Sequence, residues 1–153
     1  MVYYLDTSAL VKRYASEIGS PWMLSLFAPS AAHVFAIGLI TKVELIAGLA
    51  AKQRNGNLSL AELQAVELDI ANDFLQQYQI VTVDQATIDL ATELAKRNHL
   101  RGYDAVQLAC ALTLNHLLTA LGLPVLTFVT ADKLLLQAAA HEGLATDNPN
   151  LHP

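Results

Sequence analysis

Four acidic residues stand where a strand or a loop hands over to a helix: Asp6, Glu44, Asp104 and Asp132. Asp6 ends the apolar run Val2-Tyr3-Tyr4-Leu5, and Asp132 follows a second apolar run, 125–129, across Thr130-Ala131. Asp104 opens the stretch Ala105-Val106-Gln107-Leu108-Ala109, which has little polar surface. Carboxylates crowded at the ends of buried strands repel one another and lose hydration, so their pKa values rise unless a cation sits among them. A hard divalent ion resolves that conflict. Mg²⁺ takes one or two carboxylates and completes its shell with water and substrate phosphate oxygens. Such a site activates water and stabilises a leaving oxygen, which is what phosphodiester hydrolysis needs.

Each of the four also has a purely structural explanation. Thr41-Lys42-Val43-Glu44 has the spacing of a capping box. Asp104 is placed to complement a helix dipole, and Asp6 and Asp132 are placed to cap the helices that follow them. Asp84 also ends a strand and starts a helix, so spacing alone does not separate it from the other four. No zinc pattern competes, because His33, His99, His116, His141 and His152 are scattered. Cys110, the only cysteine, falls inside an apolar helical run and reads as a reduced core thiol.

Stepping along the chain, strands are expected at 2–5, 33–37, 80–83 and 125–129, with a short last one at 144–146. Between them the apolar spacing predicts helices. The first runs from Ala9, capped by Thr7 or Ser8, and the second starts with Ser20 as cap and Pro21 in the first helical position. Others cover 41–54, 59–77, 84–98, 103–121 and 134–141. The helices joined by Arg54-Asn55-Gly56-Asn57 form a pair projecting from the sheet, and 103–121 is the helix to pack on the sheet's middle. Strands alternating with helices imply an α/β fold with a mostly parallel sheet and helices on both faces. In such sheets ligands bind outside the carboxyl ends of the strands, where Asp6 lies.

At this point four ordered segments carry a resemblance: 4–12 (YLDTSALVK), 41–45 (TKVEL), 100–109 (LRGYDAVQLA) and 128–132 (FVTAD). Together they span the whole chain, which resembles the PIN-domain ribonucleases and, within them, the VapC-like toxins of type II toxin–antitoxin systems. The resemblance implies a three-layer α/β/α domain over 1–153 with a central parallel sheet in the order 3-2-1-4-5. That order puts the third strand at an edge and sets Asp84 aside. It further implies that Asp6, Glu44, Asp104 and Asp132 ligate Mg²⁺, or Mn²⁺ in its place, directly or through water. They would thereby position a water for attack on an RNA phosphodiester. Asp6 and Asp104 are the firmest ligands on this reading, Glu44 comes next, and Asp132 acts through water.

Thr7, Ser8 and Thr130 are candidates to steady ligands or a water through their hydroxyls, or simply to cap helices. Lys12, Arg13, Lys42, Arg101 and Lys133 lie near the motifs as candidate phosphate contacts, though most of them read better as a solvated helix face, and Arg101 is the exception to test first. The implied partners are an RNA substrate, a cognate antitoxin and a second copy of the chain. The alternative is a PIN-like module that binds RNA or protein without cutting. A phosphoacceptor receiver domain fails on arrangement, since it needs paired acidic residues after the first strand and Leu5-Asp6-Thr7 offers one.

Composition fits this picture with one tension. A net charge of −5 supplies no basic surface that announces nucleic acid. Hydrophobic residues make up 54% and charged ones 15%, a surplus that a partner would cover. The N-terminus lacks the basic and apolar regions of a signal peptide, and the single cysteine makes no demand for an oxidising compartment, so a cytoplasmic location is expected. The greasiest stretch, 105–126, is interrupted by Gln107, Asn115, His116, Gly122 and Pro124, and reads as a buried helix followed by a strand rather than a membrane span.

Overall fold

The computed structural model describes residues 1–152. Its strands are β1 (Val2–Leu5), β2 (Val34–Gly38), β3 (Tyr78–Val81), β4 (Leu126–Val129) and β5 (Ala145–Asp147). All pair in parallel, in the order β3-β2-β1-β4-β5. The helices are α1 (Thr7–Tyr14), α2 (Ser20–Leu26), α3 (Thr41–Arg54), α4 (Leu60–Gln76), α5 (Gln85–Asn98), α6 (Gly102–Ala120) and α7 (Lys133–His141).

Successive strand residues point to opposite faces, so β1 serves two cores at once. Tyr3 and Leu5, with Phe35 and Ile37 of β2, pack on Leu10, Met23, Leu45, Leu49 and Ile70 from α1 to α4. Tyr4 and Phe128, stacked with centroids 5.6 Å apart, face Leu94, Leu108, Leu112 and Leu135 of α5, α6 and α7. Helices therefore cover both faces of the sheet, which gives the expected three layers. Full burial of side chains such as Leu108 or Phe128 contributes roughly 1.5–3 kcal/mol each. As expected, α6 touches the middle strands β2 and β4, and α5 lies against it. Among the described residues no helix is long and apolar enough to cross a membrane.

Several local expectations need correction. Of the caps offered for α1, Asp6 serves, accepting from the Ala9 N–H at 2.9 Å, and not Thr7 or Ser8. Ahead of α2 stands Gly19 at φ +86°, where an added Cβ would run into the Pro149 carbonyl, while Ser20 is tied instead to Glu17 and Ala15. β3 starts two residues earlier than expected because Tyr78, buried, pairs in register with Phe35. The capping box in this half of the molecule is at Ser59 and Glu62, opening α4, and not at Thr41 and Glu44.

Two basic residues near the motifs are committed to this framework. Lys12 is buried and pairs with Glu17 at 3.2 Å. Arg13 reaches Asp73 of α4 at 2.8 Å and lies 3.8 Å over the Phe27 ring, while Tyr14 donates to the same carboxylate at 2.7 Å. Both side chains are thus engaged with carboxylates of the framework.

Candidate active site

The parallel order brings four separate segments to one edge. Asp6 follows β1, Glu44 sits in the first turn of α3 after β2, Asp104 in the first turn of α6, and Asp132 after β4. All four line a cavity of about 350 Å³ at the carboxyl ends of the central strands. Asp84 caps α5 beyond the edge strand β3 and does not line it.

Asp6 is the deepest of the four, 5% exposed. Burial pushes its carboxyl up to about 7, even though the Ala9 N–H and the Ser8 and Thr130 hydroxyls favour the ionised form. Ser8 Oγ donates to Asp6 Oδ1 at 2.9 Å and accepts from the Ala131 N–H at 2.8 Å. Thr130, fully buried, lies 3.2 Å from Ser8 Oγ and accepts from the Asp132 N–H at 3.1 Å. The two hydroxyls thus lash the end of β1 to the end of β4. Asp132 also caps α7 through Oδ1, accepting from the Leu135 N–H at 2.9 Å. Asp104 is half-buried, and burial followed by repulsion from Asp132 and Glu44 raises its pKa against the opposing charge of Arg101. Arg101 itself is exposed at the N-cap of α6 and does not line the cavity.

Glu44 is held by a buried residue that the sequence reading overlooked. Gln107, 2% exposed, donates from Nε2 to Glu44 Oε2 at 2.7 Å and to Thr41 Oγ1 at 2.9 Å. Its Oε1 accepts from the Tyr4 hydroxyl at 2.8 Å. Thr7 Oγ1 donates to the same Glu44 oxygen at 2.7 Å. The apparent capping box at Thr41 and Glu44 is therefore spent on this network, which leaves Glu44 Oε1 without a protein partner among the described residues. Gly38, at the end of β2, permits it: an added Cβ would lie 2.7 Å from the Tyr4 hydroxyl and 3.2 Å from Gln107 Oε1. The available signal was a polar residue alone in the apolar stretch 105–112, one turn after Asp104. Gln107→Leu leaves Glu44 and the Tyr4 hydroxyl each short of a buried partner, and is expected to cost about 2–4 kcal/mol in urea denaturation.

Among the described residues, none of the four carboxylates forms a salt bridge. Nor do three His, Cys, Asp or Glu side chains converge closely enough to clasp an ion by themselves. The donor set is all oxygen, buried at its centre and without a cationic partner. That set fits a hard divalent cation held through one or two carboxylates and completed by water, as Mg²⁺ prefers, rather than a closed protein cage. Cys110 is buried in α6, and burial pushes its thiol up to about 11, so it offers no nucleophile.

A family model for the PIN domain matches residues 3–141, and the chain belongs to that family. It is 33% identical over 150 residues to Ribonuclease VapC45 of Mycobacterium tuberculosis (strain CDC 1551 / Oshkosh), covering 98% of this chain and 97% of that one. The figures are the same for Ribonuclease VapC49 of the ATCC 25618 / H37Rv strain. Among solved structures, VapBC2 from Rickettsia felis bound to a promoter DNA fragment matches with a TM-score of 0.64 at 19% identity, covering 97% of this chain and 98% of that one. FitAB bound to the IR36 DNA fragment matches with a TM-score of 0.63 at 18% identity, covering 97% and 95%. At those identities the structural likeness speaks to the fold alone.

Proposed function

We propose that the protein is a metal-dependent endoribonuclease and the toxin of a toxin–antitoxin pair. The observation that carries this reading is the cavity itself, where carboxylates from four segments face one space and, among the described residues, none is paired with a basic side chain. Relatives named as ribonucleases, matched over nearly their whole length, support RNA as the substrate. Mg²⁺, or Mn²⁺ in its place, would supply an activated water and neutralise the charge developing on the leaving oxygen. Asp6 and Asp104 serve as direct ligands, Glu44 as the next, and Asp132 through water. Ser8 and Thr130 hold Asp6 in place, and Thr7 and Gln107 fix Glu44 with one oxygen left toward the cavity.

An antitoxin and a second copy of the chain are the proposed partners, acting in the cytoplasm. Exposed apolar side chains support both, notably Leu117 on α6, Leu121, Leu123 and Val125 beyond its end, and Leu60, Leu68 and Leu75 on α4. The nuclease is tested by incubating the purified protein with a mixed pool of structured RNAs, with Mg²⁺ or Mn²⁺ and with EDTA. Discrete cuts that EDTA abolishes are expected. RNA affinity that metal hardly changes, with no cleavage, would favour the non-cutting RNA- or protein-binding module instead.

A further inference from the structure

Glu44, Gly48 and Lys52 are spaced four residues apart on α3 and so share one face. All three line the acidic cavity, and Lys52 is the one cation among its lining residues. At 1.5 Å per residue, about 12 Å of helix axis separates Lys52 from Glu44. Lys52 also lines a second cavity of about 450 Å³, with Ser16 after α1, Asn57 in the turn before α4 and Glu62 in its first turn. The two spaces meet at this side chain. Between them, a Cβ added at Gly48 would find no heavy atom within 4 Å, so the surface there is open.

The group of Lys12, Glu17 and Lys52 at this junction is positive despite its ion pairs. Glu17 holds Lys52 at 2.5 Å through one oxygen and Lys12 at 3.2 Å through the other. One carboxylate between two ammonium groups leaves a net charge of one. Lys12 is 5% exposed and Lys52 31%, so Lys52 presents that charge to the cavity. The pairing also holds the flexible lysine stem in position, which lowers the entropy lost when an anion binds.

We infer that Lys52 grips a phosphate of the RNA that flanks the one hydrolysed, with the strand passing from the carboxylates over Gly48 toward the second cavity. Two helical turns from Glu44, Lys52 is placed for a phosphate beyond the one hydrolysed, and an ammonium is a suitable point charge for a backbone oxygen. This rests on the ribonuclease reading above and assigns the direction in which the substrate leaves the metal-binding carboxylates.

The test compares the wild type, Lys52→Ala and Gly48→Leu. Cleavage kinetics on a fluorogenic single-stranded RNA are measured beside RNA affinity by fluorescence anisotropy over a salt series, with Ca²⁺ in place of Mg²⁺. Lys52→Ala should raise KM about tenfold while kcat changes less than about twofold. The plot of log affinity against log salt should become shallower by about 0.7, the loss of one single-strand phosphate contact. Gly48→Leu should raise KM by obstruction, with neither Mn²⁺ affinity nor melting temperature lowered, because leucine is the better helix former and meets open space. Wild-type cleavage with KM and salt slope unchanged in Lys52→Ala would overturn the inference alone. A wild type that neither binds nor cuts RNA would remove the ribonuclease reading, and this one with it.

Discussion

Asp6→Asn is expected to lower RNA cleavage by about 10³-fold or more, the loss that follows when several kcal/mol of cation-based charge stabilisation disappears. The substitution is nearly isosteric, and asparagine is as good a helix cap as aspartate, so the bond from the Ala9 N–H persists. The Ser8 hydroxyl retains an acceptor in the amide oxygen. What goes is the negative charge at the buried centre of the cavity. Single-turnover cleavage beside a circular dichroism melt separates lost chemistry from lost fold. Wild-type cleavage by a folded variant would mean that Asp6 is not a metal-binding carboxylate.

The second large effect is on stability as a function of pH. Asp6 titrates near 7 in the folded chain against 3.8 as an ordinary aspartate, so the folded state holds its proton more tightly. Stability from this group is fully present below about pH 4 and is lost as the pH rises through 7. The difference between those two values corresponds to about 4 kcal/mol. Asp104, also raised, contributes in the same direction, whereas Glu17 and Glu142, held low by their basic partners against desolvation, contribute oppositely. The difference between the wild type and Asp6→Asn isolates the Asp6 part. Urea denaturation in EDTA should show the wild type losing stability relative to the variant between about pH 4 and pH 8. Added Mg²⁺ should restore the wild type at the upper end and stabilise the variant less. Parallel pH curves for the two proteins would contradict the buried, uncompensated carboxylate.

Much of this architecture was legible in residue order. Apolar runs of four or five residues alternating with helical spacing specify a parallel α/β sheet because little else can bury both kinds of element. The strand order, which separates Asp84 from the other four acidic residues, came from the resemblance and not from spacing, since Asp84 and Asp132 have the same local context. Local capping was harder to read. Thr41 and Glu44 satisfy the capping-box pattern, but a buried amide 63 positions away competes for the same oxygen and wins. Gln107 itself looked like an interruption in a greasy helix, because a single polar residue carries no signal of what it meets across the sheet. Lys12 and Arg13 were offered as phosphate contacts on proximity in sequence. Their partners, Glu17 and Asp73, lie on segments whose approach only the folded chain defines.

Everything chemical proposed for the cavity depends on a divalent cation binding among these carboxylates. Electron paramagnetic resonance of Mn²⁺ titrated into the metal-free protein at pH 8 reads that binding without reference to RNA. Saturable loss of the free Mn²⁺ signal is expected for the wild type, weakened by Asp6→Asn and by Asp104→Asn and competed by Mg²⁺. A wild-type titration indistinguishable from buffer, or one that neither substitution alters, would contradict the metal site.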